Sequence, residues 1–297
     1  MEFTFRVTAT AATTTKRLLD RFGVSHRLFK RLVTAHAIIV GDRPVGNIPL
    51  VTGDQVTFTL PTDKPVAPAP GQLDVLYEDA NWLVVNKPAN CASVPGPSHP
   101  GASLLNMAAG YLVQQGYGAV QPAIITRLDR DTMGVVLIAK HPLAQARLDR
   151  AGVDQVVHKE YLAVVDGVLI QNWGRVEVPL GRADDGIHRR VDVDGQYART
   201  DYRVVRRGQR ATMVRCVLRT GRTHQIRVHM AYLGHPLVGD ALYGGSARAH
   251  GGQMLLAQRL TFTDPFTRQH IDVQAPVPDS FNRRLGQMTS SSSRQAT

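Results

Sequence analysis

Cysteine is nearly missing from this 297-residue chain, which carries only Cys91 and Cys216. The two stand far apart and neither has a neighbouring cysteine. That excludes a disulfide framework and a cysteine-based zinc site, and it fits a reducing, cytoplasmic setting. Long apolar runs are missing as well. No stretch approaches the ~18 apolar residues of a membrane-spanning helix, and residues 1–15 alternate threonine and alanine without the apolar centre of an export signal. A soluble, cytoplasmic protein without membrane association is expected. Neither a P-loop nor a G-x-G-x-x-G following a strand occurs, so no cofactor is indicated. His224 and His229 are spaced by five, which does not stack them on one helix face as paired metal ligands require, so no metal is expected. Acidic residues vanish from one stretch: Tyr202 to Gly239 holds eight arginines (203, 206, 207, 210, 215, 219, 222 and 227) and no Asp or Glu.

Positive charge is what the chain has in quantity. Thirty-five Lys and Arg against twenty-four Asp and Glu leave a formal charge of +11, and arginine predominates. Its planar fork suits phosphate oxygens and stacked bases, so a polyanionic partner, nucleic acid first, is expected.

The pattern along the chain divides it into a small unit (residues 1–60), a linker (61–71), a large domain (72–287) and a disordered tail (288–297). In the small unit, Leu18, Leu19 and Phe22 form an apolar set stopped by Gly23. Ser25 then caps a second helix whose core face is Leu28, Phe29, Leu32 and Val33. Arg27, Lys30 and Arg31 make a basic ridge on that helix at i, i+3 and i+4. Ile38 to Val40 and Gln55 to Leu60 read as strands, with Gly41-Asp42 and Gly53-Asp54 as turns. Pro61, Pro65, Pro68 and Pro70 with Gly71 break all periodicity, as a semi-rigid tether would.

Beyond the linker, Leu73 to Tyr77 and Trp82 to Asn86 suggest a hairpin, Ser103 to Gln115 a helix, Gly134 to Ala139 a buried strand, and Pro142 to Arg150 a short helix. Lys159 to Val165, Arg175 to Val178, Arg199 to Val205 and Ala211 to Arg219 read as further strands. The fold class is α+β: a large mixed, mostly antiparallel sheet with flanking helices, plus a small N-terminal α/β module.

Two segments carry chemistry. Arg127-Leu128-Asp129-Arg130-Asp131-Thr132-Met133-Gly134 puts a carboxylate in a basic loop at the mouth of a buried strand, where burial penalises its charge unless a partner keeps it ionised. In Gly221 to Met230, Gly221 ends a strand, Thr223 is positioned to cap, and Ile226, Met230 and Leu233 trace a buried helical stripe. Arg227 falls one position off that stripe and can point into a cleft. Arg222, at the turn, lies where N–H groups and a cation could jointly hold a phosphate.

With Val84-Val85-Asn86-Lys87-Pro88, the run Lys159-Glu160-Tyr161-Leu162-Ala163-Val164-Val165-Asp166-Gly167, and Gly234 to Asp240 with Leu242-Tyr243-Gly244-Gly245, these segments resemble the motifs of RluA-family pseudouridine synthases. The likeness covers roughly residues 70 to 283. The small unit resembles, less closely, the S-four-type RNA-binding module, which usually has a glycine near Ala35-His36.

The resemblance implies an isomerase that converts uridine to pseudouridine in structured RNA, ribosomal RNA ahead of transfer RNA, with no cofactor. It assigns Asp129 as catalytic residue, Tyr161 as the ring packed on the target base, and Arg227 as the partner of the carboxylate. Two positions depart from the pattern: Thr126 replaces the usual histidine and Met133 the usual serine. Thr126 would alter a contact to RNA or to the loop, and Met133 the packing of the loop.

The chemistry breaks the N1–C1′ bond, turns the uracil and rejoins it through C5. Asp129 would act either as nucleophile at the sugar or as a base that starts glycal formation. The target must leave its stack, so the site needs an aromatic face, supplied by Tyr161, and a brace for the vacated helix, for which Arg127 is the candidate. Arg222, Arg27, Lys30, Arg31 and the basic stretch from Arg203 to Arg227 would contact phosphates. A monomer is expected. The alternatives are a non-catalytic RNA-binding or ribosome-assembly factor on the same fold, and an Asp/His hydrolase using His224.

Overall fold

The computed structural model describes residues 1–62, 64–96, 103–246 and 252–286, so the expected tail at 288–297 lies outside the described residues. In the small unit, Thr15–Phe22 ends at Gly23, whose φ of 108° is the left-handed stop a glycine tolerates. His26–Thr34 starts at Ser25, whose hydroxyl accepts the Leu28 N–H at 3.2 Å. The two helices pack on an antiparallel sheet ordered Thr4–Thr8, Gln55–Thr59, Ile38–Val40, Arg43–Pro44. The first of these strands was missed in the sequence, although Phe3, Phe5 and Val7 alternate there. His36 holds φ 52°, in the left-handed region.

The large domain is built on a ten-stranded sheet. Its main path runs Trp173–Glu177, Arg199–Arg207, Ala211–Leu218, Val157–Asp166, Leu255–Thr263, Met133–Ala139, Trp82–Lys87, Val75–Glu78, with His270–Gln274 and Ala123–Ile124 attached at its sides. All pairings are antiparallel except Met133–Ala139 with Leu255–Thr263. The α+β class with a mostly antiparallel sheet is therefore the observed fold.

Helices cover both faces. Leu104–Gln114 and Gln225–Tyr232 bury Leu104, Ala108, Ile226 and Met230 against Tyr161, Ala163, Val214 and Cys216. Pro142–Ala151 and Asp279–Gly286 bury Ala144, Leu148, Phe281 and Leu285 against Leu162, Val164 and Met213. Alternation along Val157–Asp166 thus sends Tyr161 to one layer and Leu162 to the other. Two strands after residue 250 were not anticipated. A β-bulge beside Tyr161 interrupts the pairing of Leu255–Thr263 with Val157–Asp166, and the two-residue rhythm along that strand is broken.

The proline-rich segment lies along helix Leu104–Gln114. Ala69 N–H donates to Asn106 O and Asn106 Nδ2 to Ala67 O, both at 2.9 Å. Gly110 permits the approach, since a Cβ there would stand 2.3 Å from Ala69 O. The small unit shares its core with the large domain through Leu143 and Phe266. Arg147 clamps the two, donating to Phe22 O (2.6 Å) and Pro265 O (2.5 Å) while stacked between the Phe22 and Phe266 rings.

Candidate active site

A cleft of about 550 Å³ opens on the Tyr161 side of the sheet, and Asp129, Tyr161, Arg127, Arg222 and Arg227 all line it. The loop bearing Asp129 is tied down from several directions. Ser93 Oγ donates to Leu128 O at 2.7 Å and accepts the Leu128 N–H at 3.0 Å. Lys87, fully buried, donates to Pro88 O (2.9 Å), Cys91 O (2.7 Å) and Arg130 O (2.9 Å). Three carbonyls match the three N–H bonds of an ammonium. Burial pulls its pKa down to about 8, against the opposing charges of Cys91, Asp131 and Asp129. At the end of the loop, Gly134 has φ 108°, and a Cβ would lie 2.2 Å from Ala257 O. Only glycine lets the loop enter the strand there.

Both departures from the family pattern fall within this scaffold. Thr126 is buried at the cleft wall and its hydroxyl accepts the Leu137 N–H at 2.9 Å, tying the segment before the loop to the neighbouring strand. Met133 is partly buried against the opposite core layer.

Arg227 Nη1 donates to Asp129 Oδ2 at 2.9 Å, joining residues 98 positions apart. The rest of the guanidinium is gripped by Asp240, which the sequence placed at the end of a motif without giving it a role: Nε to Oδ2 at 2.7 Å and Nη2 to Oδ1 at 2.9 Å. Asp240 is 1% exposed and Arg227 7%. Burial alone would lower the arginine's pKa, but Asp240 and then Asp129 push it above its usual value. The fork is thus a fixed cation that presents one N–H to the loop carboxylate. Tyr161 is 5% exposed; burial first, and the Asp129 charge second, raise its pKa, so the ring stays a neutral phenol.

Thr223 does not cap the helix Gln225–Tyr232. The N-cap is His224, with φ 58° and no side-chain cap bond. Gln225 organises the turn instead: its Oε1 accepts Thr220 Oγ–H (2.7 Å) and the Arg222 N–H (3.0 Å), while Nε2 donates to Arg199 O (2.9 Å) and Thr200 Oγ (3.0 Å). The Arg222 N–H is therefore already engaged, and its Nε reaches Tyr197 O at 3.1 Å. Lys159, another cleft residue not singled out, has its pKa lowered by burial, with Asp154 opposing.

The acid-free arginine stretch is split by the sheet. Arg203 and Arg215 pair across strands and stand opposite Leu162, on the face away from Tyr161. On that face Arg215 faces Glu160 (3.7 Å), Arg219 bonds Asp201 (2.9 Å) and Arg206 reaches Asn282 O. Arg27 and Lys30 are exposed on the small unit and do not line the cleft. Arg31 donates to Pro61 O at 3.4 Å.

The mostly antiparallel sheet thus carries a cleft with more basic than acidic side chains, in which a loop carboxylate is held by a buried arginine. The family model described as RNA pseudouridylate synthase matches residues 81–232, and the chain belongs to that family. It is thus an RNA-modifying isomerase by family. "Uncharacterized RNA pseudouridine synthase YjbO" of Bacillus subtilis (strain 168) is 38% identical, across 92% of this chain and 98% of the relative. "Ribosomal large subunit pseudouridine synthase D" of Xanthomonas campestris pv. campestris is also 38% identical, across 82% of this chain and 77% of its own length. Among solved structures, human RNA Pseudouridylate Synthase Domain Containing 1 aligns with a TM-score of 0.58 and 25% identity, over 70% of this chain and 86% of that one. No described helix is long and apolar enough to cross a membrane.

Proposed function

We propose that the chain isomerises specific uridines in structured RNA, with large-subunit ribosomal RNA as the host, and that Asp129 is its catalytic residue. The Asp129–Arg227 contact at 2.9 Å, in the cleft that Tyr161 lines, carries this reading. Arg227, immobilised by Asp240, keeps the carboxylate ionised in a partly dry site. Tyr161 offers its ring to a flipped-out base, and Arg127, exposed at the rim, braces the vacated stack. The names of relatives such as the Xanthomonas enzyme favour ribosomal RNA.

Arg222 at the cleft and Arg27, Lys30 and Arg31 on the S-four-like unit contact phosphates, giving salt-sensitive affinity without base identity. The far-face arginines are left out of this role, since an RNA seated in the cleft lies on the other side of the sheet.

Release of tritium from C5-labelled uridine in cellular RNA tests the assignment. Wild-type protein releases it and Asp129→Asn loses about 1000-fold or more; no release by the wild type favours a non-catalytic RNA-binding factor. For the small unit, deleting residues 1–70 would strip a shared core, so Arg27→Glu with Lys30→Glu is the cleaner probe. The double variant should weaken RNA binding and flatten its salt dependence while the single-turnover rate at saturation holds.

A further inference from the structure

His224 sits in the cleft without a role in the reading above, and it resembles a second N-cap histidine that has one. His141 caps its helix, with Nδ1 accepting the Ala144 N–H at 3.1 Å and Nε2 at 3.2 Å from Asn81 Oδ1. Both of its nitrogens are engaged. His224 makes no cap bond and holds a left-handed φ of 58°, a conformation a non-glycine residue keeps only where the surroundings enforce it. Its Nδ1 lies 2.8 Å from Tyr243 Oη, and that oxygen also accepts the Arg189 N–H at 2.8 Å. A phenol that accepts from Arg189 keeps its own proton to give to Nδ1, and in that tautomer the ring proton sits on Nε2. Nε2 is 3.7 Å from Asp129 Oδ2, beyond hydrogen-bond range. In that tautomer an N–H stands at the cleft beside the loop carboxylate, without a hydrogen-bond acceptor among the described residues.

Breaking the N1–C1′ bond leaves its electron pair on N1, and the negative charge spreads over the uracil carbonyl oxygens. The pair then forms the C5–C1′ bond, the C5 proton is lost and N1 gains one, so the net change is an isomerisation. The transient anion needs a donor that stabilises charge without protonating the base. We propose that His224 supplies it, donating Nε2–H to a carbonyl oxygen of the departing uracil. This deepens the proposed site and rests on that reading. Burial lowers the imidazole's pKa; Asp129 opposes this, Arg227 and Arg189 reinforce it, and Asp240 opposes it. The ring remains a neutral donor at neutral pH. Among the described residues, Arg189, Tyr243, Asp129, Arg227 and Asp240 are the charged or titratable groups that act on it.

Gln places an N–H near the Nε2 position, whereas Asn reaches only the Nδ1 position and tolerates left-handed backbone better. Single-turnover rates on saturating RNA should fall about 100-fold in His224→Ala, the low end for losing one oxyanion donor. They should stay low in His224→Asn and recover at least about tenfold in His224→Gln. On RNA carrying 5-fluorouridine at the target, whose anion leaves more readily, the Ala defect in glycosidic cleavage should shrink. Recovery in Asn but not Gln would assign His224 to holding Tyr243 and overturn the proposal, as would a wild-type rate in His224→Ala or an equal defect on both RNAs. Asp129→Asn run alongside separates the two ideas: if it stays active, the catalytic assignment of Asp129 fails, whatever the His224 series shows.

Discussion

Arg219 and Arg227 come from one acid-free stretch, and each meets a carboxylate at nearly the same distance: 2.9 Å to Asp201 and 2.7 Å to Asp240. Their surroundings differ. The Arg219 side chain is 57% exposed and Arg227 8%. In water the first pair is screened and weak; in the cleft the second is a fixed dipole whose partners cannot turn to solvent. Both faces of the sheet therefore carry arginine, but only one turns it into a positioning device.

The strongest way to break this contrast is Arg227→Met. It leaves Asp240 buried without its cation, so about 3–5 kcal/mol of stability should disappear in urea unfolding, together with nearly all tritium release. Stability at the wild-type level would mean that water reaches Asp240 and that the two faces are alike.

Lys87→Met probes the floor of the same site. Three buried carbonyls lose their donor, at about 1–3 kcal/mol overall. The pH dependence has a defined sign. With a folded pKa near 8 against about 10.4 unfolded, the unfolded chain binds more protons between those values, so lysine's contribution to stability rises with pH across that window. The gap between wild type and Lys87→Met should widen from pH 8 to 10 in parallel denaturation curves, and a gap that narrows would contradict the burial.

Smaller effects belong to the join between the units. Arg147→Ala removes two carbonyl contacts and the stacking on Phe22 and Phe266, so the small unit should exchange amide protons faster than the large domain, with about 1–2 kcal/mol lost locally. Uniform exchange would show that the other contacts across the join, among them Leu143, Phe266 and the stack of Phe3 on Tyr117, hold it without Arg147. The least effect is expected from Arg219→Ala on the far face: within about 0.5 kcal/mol, with an unchanged single-turnover rate. A large loss of rate there would place RNA on both faces.

Much of the site was legible before the fold. Asp129 stood out by its basic loop, Tyr161 by the family resemblance of its strand, and Arg227's offset from the Ile226–Met230 stripe pointed it at a cleft. Helices with clear caps, such as those opened by Ser25 and Ser103, were legible because the cap bond is local. Asp240 was not, since an aspartate after Val238-Gly239 reads like any turn residue until Arg227 is seen to grip it. Leu255–Thr263 is hidden by its bulge, and nothing local in the sequence reveals that His224, in the left-handed conformation, takes the cap position in place of Thr223.

Composition, periodicity and the resemblance of the motifs determined by themselves the class of fold, the sign of the partner's charge and the residues proposed to react. Those properties depend on single side chains and their near neighbours. Tertiary structure decided which arginines are buried, which carboxylate holds Arg227 and which histidine nitrogen is left facing the cleft. Each of these depends on dielectric and distance between residues far apart along the chain, and no local pattern encodes either.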